Sequence, residues 1–281
     1  MKSKKDKYFE DLKNNVRKKK VTVGIIGLGY VGLPLALTIS EKGIKVIGFD
    51  INKKYVNSIN NGESYIHHID SKRIQKQYQA KRLFATDDFK EIKRIDIILI
   101  CVPTPLNNFR EPDLSFINET MNNIKSFLKK GQFLILESTT YPGTTEEKIK
   151  PILEKQGFKT GEDIFLAYSP EREDPGNTIF KTENTTKVLG GITKKCTALG
   201  KVFYESFVKE VFTVSSTRAA EMTKLVENVQ RAVNIGLVNE LKLISESLNI
   251  DIYEIIRAAS TKPFGFTPFF PGPGLGGHCI P

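Results

Sequence analysis

Cysteine is scarce in this chain of 281 residues: Cys101, Cys196 and Cys279 stand at wide spacing and in odd number. Such a set builds neither a disulfide framework nor a metal site. Long apolar runs are lacking too, and none approaches the ~20 residues needed to span a bilayer. The first residues are charged rather than signal-like. No internal repeat occurs, and no low-complexity segment outside residues 1–20. Together these absences imply a soluble protein of a reducing cytoplasm, with no membrane partner. Aromatic residues do not interleave with basic ones along a face, as stacking platforms for nucleic acid require. The formal charge of +10 is also unevenly spread. Residues 1–20 hold nine Lys/Arg against three Asp/Glu, so +6 lies in a leader expected to be solvated, and about +4 remains for the other 261 residues. That distribution argues against a nucleic-acid partner and leaves a small excess to attract an anionic substrate.

What the chain does carry is concentrated at its two ends. Residues 21–26 form a short apolar β-branched run, followed by Gly27-Leu28-Gly29-Tyr30-Val31-Gly32 and then by helical composition over 33–40. A strand, a G-x-G-x-x-G turn and a helix form the context in which this motif binds a dinucleotide. The first glycine makes the tight turn, the second admits the pyrophosphate, and the third packs helix on strand. The N–H groups of the helix start face the anion. A second apolar run, 45–49, ends in Asp50, 23 residues after Gly27. A carboxylate there accepts hydrogen bonds from the ribose hydroxyls and repels a 2′-phosphate, which selects NAD over NADP. At the other end, Gly272 to Pro281 reads G-P-G-L-G-G-H-C-I-P and presents Cys279 on a glycine- and proline-rich loop. The residues alone leave two readings open there, a reactive thiol and a small buried hydrophobe.

Between these ends the pattern alternates. Helices are expected over 53–60, 70–79, 116–128, 144–156 and 195–207, and strands over 95–101, 132–137, 164–168, 186–189 and 211–214. That order predicts an α/β fold: a doubly wound parallel Rossmann sheet over 21–214, behind the leader at 1–20. From 216 to 248 the apolar residues recur at helical spacing, which at ~1.5 Å per residue spans about 50 Å. A helix of that length exceeds what a sheet needs for cover. It opens a second, helical domain, 215–281, and is expected to build a homodimer interface. A shorter helix at 252–259 and an aromatic, proline-rich loop follow.

The motifs in this order resemble the nucleotide-sugar 6-dehydrogenases of the UDP-glucose/GDP-mannose dehydrogenase family, in particular the branch acting on UDP-N-acetylhexosamines. The resemblance rests on Gly27 to Pro34, Cys101-Val102-Pro103-Thr104-Pro105-Leu106, Pro112-Asp113-Leu114-Ser115, Glu137 to Gly143, Ser169-Pro170-Glu171-Arg172, Lys224 to Asn228 and Gly276 to Pro281. It implies two-step oxidation of the sugar C6 alcohol to a carboxylate with two NAD and one water, UDP-GlcNAc being the favoured substrate. The acid would serve surface polysaccharide synthesis. Cys279 matches the family's nucleophile, Lys224 and Asn228 its oxyanion stabilisers, and Thr139 and Glu171 the residues that position water. Gly27, Leu28, Gly29, Tyr30, Val31, Gly32, Asp50, Val102, Thr104, Pro105, Ser138 and Thr139 are implied to line the cofactor. Glu171, Arg172, Lys224, Asn228, Phe270, Gly272 and Gly274 are implied to line the UDP-sugar. No metal is implied.

Three departures accompany the resemblance. Pro175 stands where relatives have a second glutamate, and Tyr55 where a basic residue commonly follows the aspartate, with Lys54 beside it. The family also continues past the cysteine into a UDP-binding domain, so the resemblance implies that this chain is part of a longer protein and turns over poorly alone. Two other functions fit the Rossmann domain and long helix: a 3-hydroxyacid dehydrogenase, and a non-catalytic NAD-binding or dimerising module.

Overall fold

A computed structural model describes residues 6–107, 109, 111–172 and 182–274. The chain divides into two compact units after Met222, beyond the boundary expected at 214. The first turns of the long helix account for the difference, because Ala220 and Glu221 are fully buried with the first unit.

The first unit is an eight-stranded sheet in the order β3-β2-β1-β4-β5-β6-β7-β8. Its strands are β1 Thr22–Ile26, β2 Lys45–Phe49, β3 Leu83–Thr86, β4 Ile97–Ile100, β5 Phe133–Leu136, β6 Phe165–Tyr168, β7 Lys187–Gly191 and β8 Val211–Thr213. Helices α1 Lys7–Arg17, α2 Gly32–Glu41, α3 Lys53–Asn60, α4 Ser71–Gln79, α5 Ser115–Ile124, α6 Lys150–Lys155 and α7 Lys194–Tyr204 flank it. The central strands are apolar throughout because both their faces are covered. Ile97 and Leu99 of β4 enter one core with α2 and α7, while Ile98 and Ile100 enter the other with α5.

The doubly wound sheet is the expected one and mostly parallel, with four departures in detail. The leader is not solvated over residues 7–17: α1 buries Leu12 and Val16 in the first core, beside Leu199 and Phe203 of α7. Its lysines stay outside, while Tyr8 and Phe9 pack partly buried against the same core. The sheet is not wholly parallel, since β7 runs antiparallel to β6. The helix expected at 144–156 begins as a π turn, Thr145–Ile149, and becomes α-helical only from Lys150, where Pro151 lacks the N–H that a regular ladder uses. β3 pairs with the edge of β2 and was not anticipated, having only Leu83 and Ala85 turned inward.

The second unit holds α8 Thr217–Ser247 from residue 223 on, followed by α9 Ile252–Ala259. Val238, Ile252 and Ile256 form a small core with Phe269 against it. Met222, Val226, Val229, Val233, Leu237, Leu241, Ile244 and Leu248 form an exposed stripe along and just past α8.

Candidate cofactor site and active-site loops

Neighbours of β1 lead away in opposite directions, to β2 and to β4, and in such sheets ligands bind outside the carboxyl ends at that switch point. There β1 runs into the glycine turn. Gly27 has φ +90° and its N–H donates to Phe49 O at 2.8 Å. A Cβ on Gly27 would lie 2.7 Å from the Cys101 carbonyl oxygen, and one on Gly32 only 1.8 Å from the Gly27 carbonyl oxygen. Helix α2 can therefore sit on β1 only through glycine. A Cβ on Gly29 would meet nothing within 4 Å. That space is what a diphosphate resting on the turn requires, so the turn fits a dinucleotide. Val31 precedes α2 and packs on the core, whereas Tyr30 is exposed.

Asp50 follows β2. Its Oδ2 accepts the Leu28 N–H at 2.8 Å and its Oδ1 the Asn52 N–H at 2.8 Å. The carboxylate is thus fixed against the turn.

On the other side of the switch point, the loops after β4 and β5 are stitched together. Thr104 Oγ1 donates to Thr139 O at 2.6 Å, and Ser138 Oγ donates to Val102 O at 2.7 Å. Pro105 O accepts the Asp113 N–H at 2.7 Å, which fixes the outer end of the loop. The structure therefore gathers Gly27 to Gly32, Asp50, Val102, Thr104, Pro105, Ser138 and Thr139 at the carboxyl edge of one sheet. Glu171 lies just past β6 and is buried, and Arg172 Nη1 donates to Thr186 O at 2.8 Å.

Two clusters near these loops were missed by sequence reasoning. Glu137, at the end of β5, accepts from Lys187 Nζ and from Tyr204 Oη, with all three side chains buried. Lys187 also reaches Pro170 O at 3.5 Å, tying the pair to the segment that carries Glu171. Glu137 belongs to a quoted motif, but nothing marked Lys187, which opens an ordinary apolar run. The second cluster is Glu221, wholly buried, which accepts from Gly143 N at 2.5 Å, Thr145 N at 2.9 Å and Thr145 Oγ1 at 2.7 Å. It holds the loop that begins at Thr139. Burial pushes its carboxyl above the usual range against the effect of those bonds.

Of the cysteines, Cys101 and Cys196 are buried, and burial raises both thiols, Cys101 far above its ordinary value. Neither is poised as a thiolate. Cys279 lies outside the described residues. In the second unit, Lys224 and Asn228 stand one turn apart on α8. Asn239 fixes the loop after α9: its Oδ1 accepts the Gly272 N–H and its Nδ2 donates to Gly274 O, both at 3.0 Å. Phe270 in that loop stacks on Tyr253 with centroids 6.5 Å apart. Among the described residues no group of His, Cys, Asp or Glu could hold a metal ion, and no helix is long and apolar enough to cross a membrane.

Comparison with known proteins agrees with this geometry. Residues 21–208 match the NAD binding domain of the UDP-glucose/GDP-mannose dehydrogenase family and residues 218–281 its central domain. The chain is 38% identical to UDP-N-acetyl-D-glucosamine 6-dehydrogenase of Salmonella typhi, over 92% of this chain and 60% of that protein. It is 34% identical to UDP-N-acetyl-D-mannosamine dehydrogenase of Pyrococcus horikoshii, over 92% and 62%. The solved structure of UDP-N-acetyl-mannosamine dehydrogenase Cap5O from Staphylococcus aureus superposes with a TM-score of 0.85 at 36% identity, over 92% of this chain and 63% of that one. The chain thus spans about three fifths of the length of the curated relatives it matches. With both domains matched and a dinucleotide turn built as the family's cofactor domain requires, the chain belongs to the UDP-glucose/GDP-mannose dehydrogenase family and takes NAD as its cofactor.

Proposed function

We propose that the protein oxidises the C6 primary alcohol of a UDP-N-acetylhexosamine to the carboxylate, consuming two NAD and one water per product. UDP-GlcNAc is the favoured sugar, and the uronic acid is a precursor of surface polysaccharide. One observation carries this reading: a dinucleotide turn with open space at Gly29 lies at the same sheet edge as the joined loops of Thr104 and Thr139. The names of the relatives, on UDP-GlcNAc and UDP-ManNAc alike, support the class of sugar.

NAD, when bound, supplies the hydride acceptor for both oxidations. The first oxidation removes a hydride and a proton from the alcohol and leaves an aldehyde. The Cys279 thiolate then forms a carbon–sulfur bond to C6, and the oxygen takes up a proton to give a thiohemiacetal. Loss of the second hydride and of that proton yields a thioester. Water cleaves its carbon–sulfur bond, releasing the acid and returning the thiol. Lys224 and Asn228, on one helix face, stabilise the developing negative charge on the oxygen, and Thr139 and Glu171 position the water. Arg172, Phe270, Gly272 and Gly274 contact the sugar nucleotide. The burial of Cys101 and Cys196 supports assigning the nucleophile to the remaining cysteine.

The exposed apolar stripe on α8 supports a two-fold homodimer. A monomeric mass in light scattering at micromolar concentration would refute that assembly. The chemistry is tested on the protein extended to the length of its relatives, with UDP-GlcNAc and UDP-ManNAc in separate reactions. Two NADH per acid are expected, and Cys279→Ser should abolish acid formation while leaving NAD binding intact. One NADH per product, or an active Cys279→Ser variant, overturns the thioester route and favours a hydroxyacid-type dehydrogenase.

A further inference from the structure

The stretch between α3 and α4, residues 61–70, carries none of the motifs quoted above, yet it reaches the cofactor turn twice. Tyr65 Oη donates to the carbonyl oxygen of Leu28 at 2.5 Å. The His68 ring stacks on Tyr30, with centroids 6.1 Å apart. Ile66 and Ile69 are buried in the core and fix the stretch from below. Within it, Ser64 Oγ donates to Ile66 O at 3.0 Å, and the Ser64 N–H donates to Ser71 Oγ at 2.9 Å. The Tyr65 ring is itself held by Tyr55, face to face at 4.0 Å and 5°. Tyr55 itself stands five positions after Asp50.

Leu28 is therefore gripped from two sides. Its N–H is held by Asp50 and its carbonyl by Tyr65. A trans peptide is planar, with its C=O and N–H pointing opposite ways. Pinning the Leu28 carbonyl consequently fixes the direction of the Gly29 N–H, at the residue beside which the turn leaves open space. We propose that Tyr65 is a positioning residue of the dinucleotide site: its hydroxyl sets the Leu28–Gly29 peptide for the diphosphate, and Tyr55 holds its ring in place by stacking. Burial and the nearby Asp50 carboxylate push the Tyr65 phenol upward, so it stays protonated and remains a donor across the working pH range. The proposal rests on the assignment of the turn to NAD.

Tyr65→Phe keeps the ring and the stack and removes only the donor. Losing one such hydrogen bond should raise the NAD dissociation constant about 3–10-fold in calorimetric titration. ADP-ribose, which carries the diphosphate, should lose affinity equally, whereas adenosine, which lacks it, should bind both proteins alike. The cofactor-free melting midpoint reports separately on stability. If the unaltered protein fails to bind NAD, the cofactor assignment itself falls. If it binds and Tyr65→Phe binds NAD equally well, the positioning role is wrong. Equal losses for NAD and adenosine overturn it too, since they mean general loosening. Should Tyr65→Phe not fold, Tyr55→Leu frees the ring instead and is expected to weaken NAD about 2–5-fold, again without effect on adenosine. Unchanged NAD binding in that variant refutes the proposal.

Discussion

Alanine at Gly29 and at Gly32 should have opposite effects, though the two sites are less than one helical turn apart. At Gly32 the added carbon would stand 1.8 Å from the Gly27 carbonyl oxygen and 3.2 Å from Ile25 Cγ2. Neither neighbour can yield. Gly27 is anchored by its N–H to Phe49 O and faces the Cys101 carbonyl, and α2 is buried over eight of its ten residues. The helix must lift off β1. Overpacking of this kind costs about 1–3 kcal/mol, and one against backbone belongs at the upper end, a fall of about 6–12 °C in melting midpoint at ~2–4 °C per kcal/mol. At Gly29 nothing lies within 4 Å and φ is outside the left-handed region. Alanine there should leave the midpoint unchanged or raise it by about 1–4 °C, because it stiffens the unfolded chain by ~0.4–1 kcal/mol. The methyl group would occupy the space meant for the diphosphate, so NAD affinity should drop about tenfold or more, roughly 1.4 kcal/mol. The assay is a melt with and without NAD at about 100 times the wild-type dissociation constant, where the wild type gains about 2.7 kcal/mol and a tenfold weaker binder about half of that. Wild-type NAD affinity in Gly29→Ala would show that the turn does not hold the diphosphate. An undiminished midpoint in Gly32→Ala would refute the helix packing.

Asp50→Ala should narrow an NAD-over-NADP preference of about tenfold or more in the unaltered chain, and equal binding of the two cofactors before mutation would remove Asp50 from the ribose site. Cys101 and Cys196, buried and with raised thiols, should resist iodoacetamide in the native protein at neutral pH and react after denaturation; peptide mass mapping that finds either labelled natively contradicts this. Lys187→Ala leaves Glu137 buried without its cation and should cost about 3–5 kcal/mol, while the pair Lys187→Met with Glu137→Gln should recover most of that in urea unfolding.

Several features were legible because their cause is local. An unbroken apolar run such as Ile97–Ile100, β-branched at all but Leu99, favours a strand covered on both faces, and a strand followed by G-x-G-x-x-G has few backbone solutions. The turn, Asp50 and the loops after β4 and β5 were accordingly marked in the sequence, as was the apolar stripe of α8. Other features depend on partners far along the chain. Helix α1 reads as a charged tail until α7, nearly two hundred residues away, offers a surface for Leu12 and Val16. The strand β3 has little apolar pattern of its own and exists through the ladder that β2 lends it. The reversal of β7 shows only in its pairing with β6. Glu137, Lys187 and Tyr204 are unremarkable one by one, and become a buried ionic cluster only when three elements converge. Tyr65 is likewise an ordinary loop tyrosine until folding brings it under the Leu28 carbonyl. Periodicity and backbone chemistry are written residue by residue, so the sequence alone determined the α/β order and the cofactor turn. Burial and pairing across the chain belong to the packed sheet, so only the tertiary structure decided which side chains hold that turn and its neighbouring loops in place.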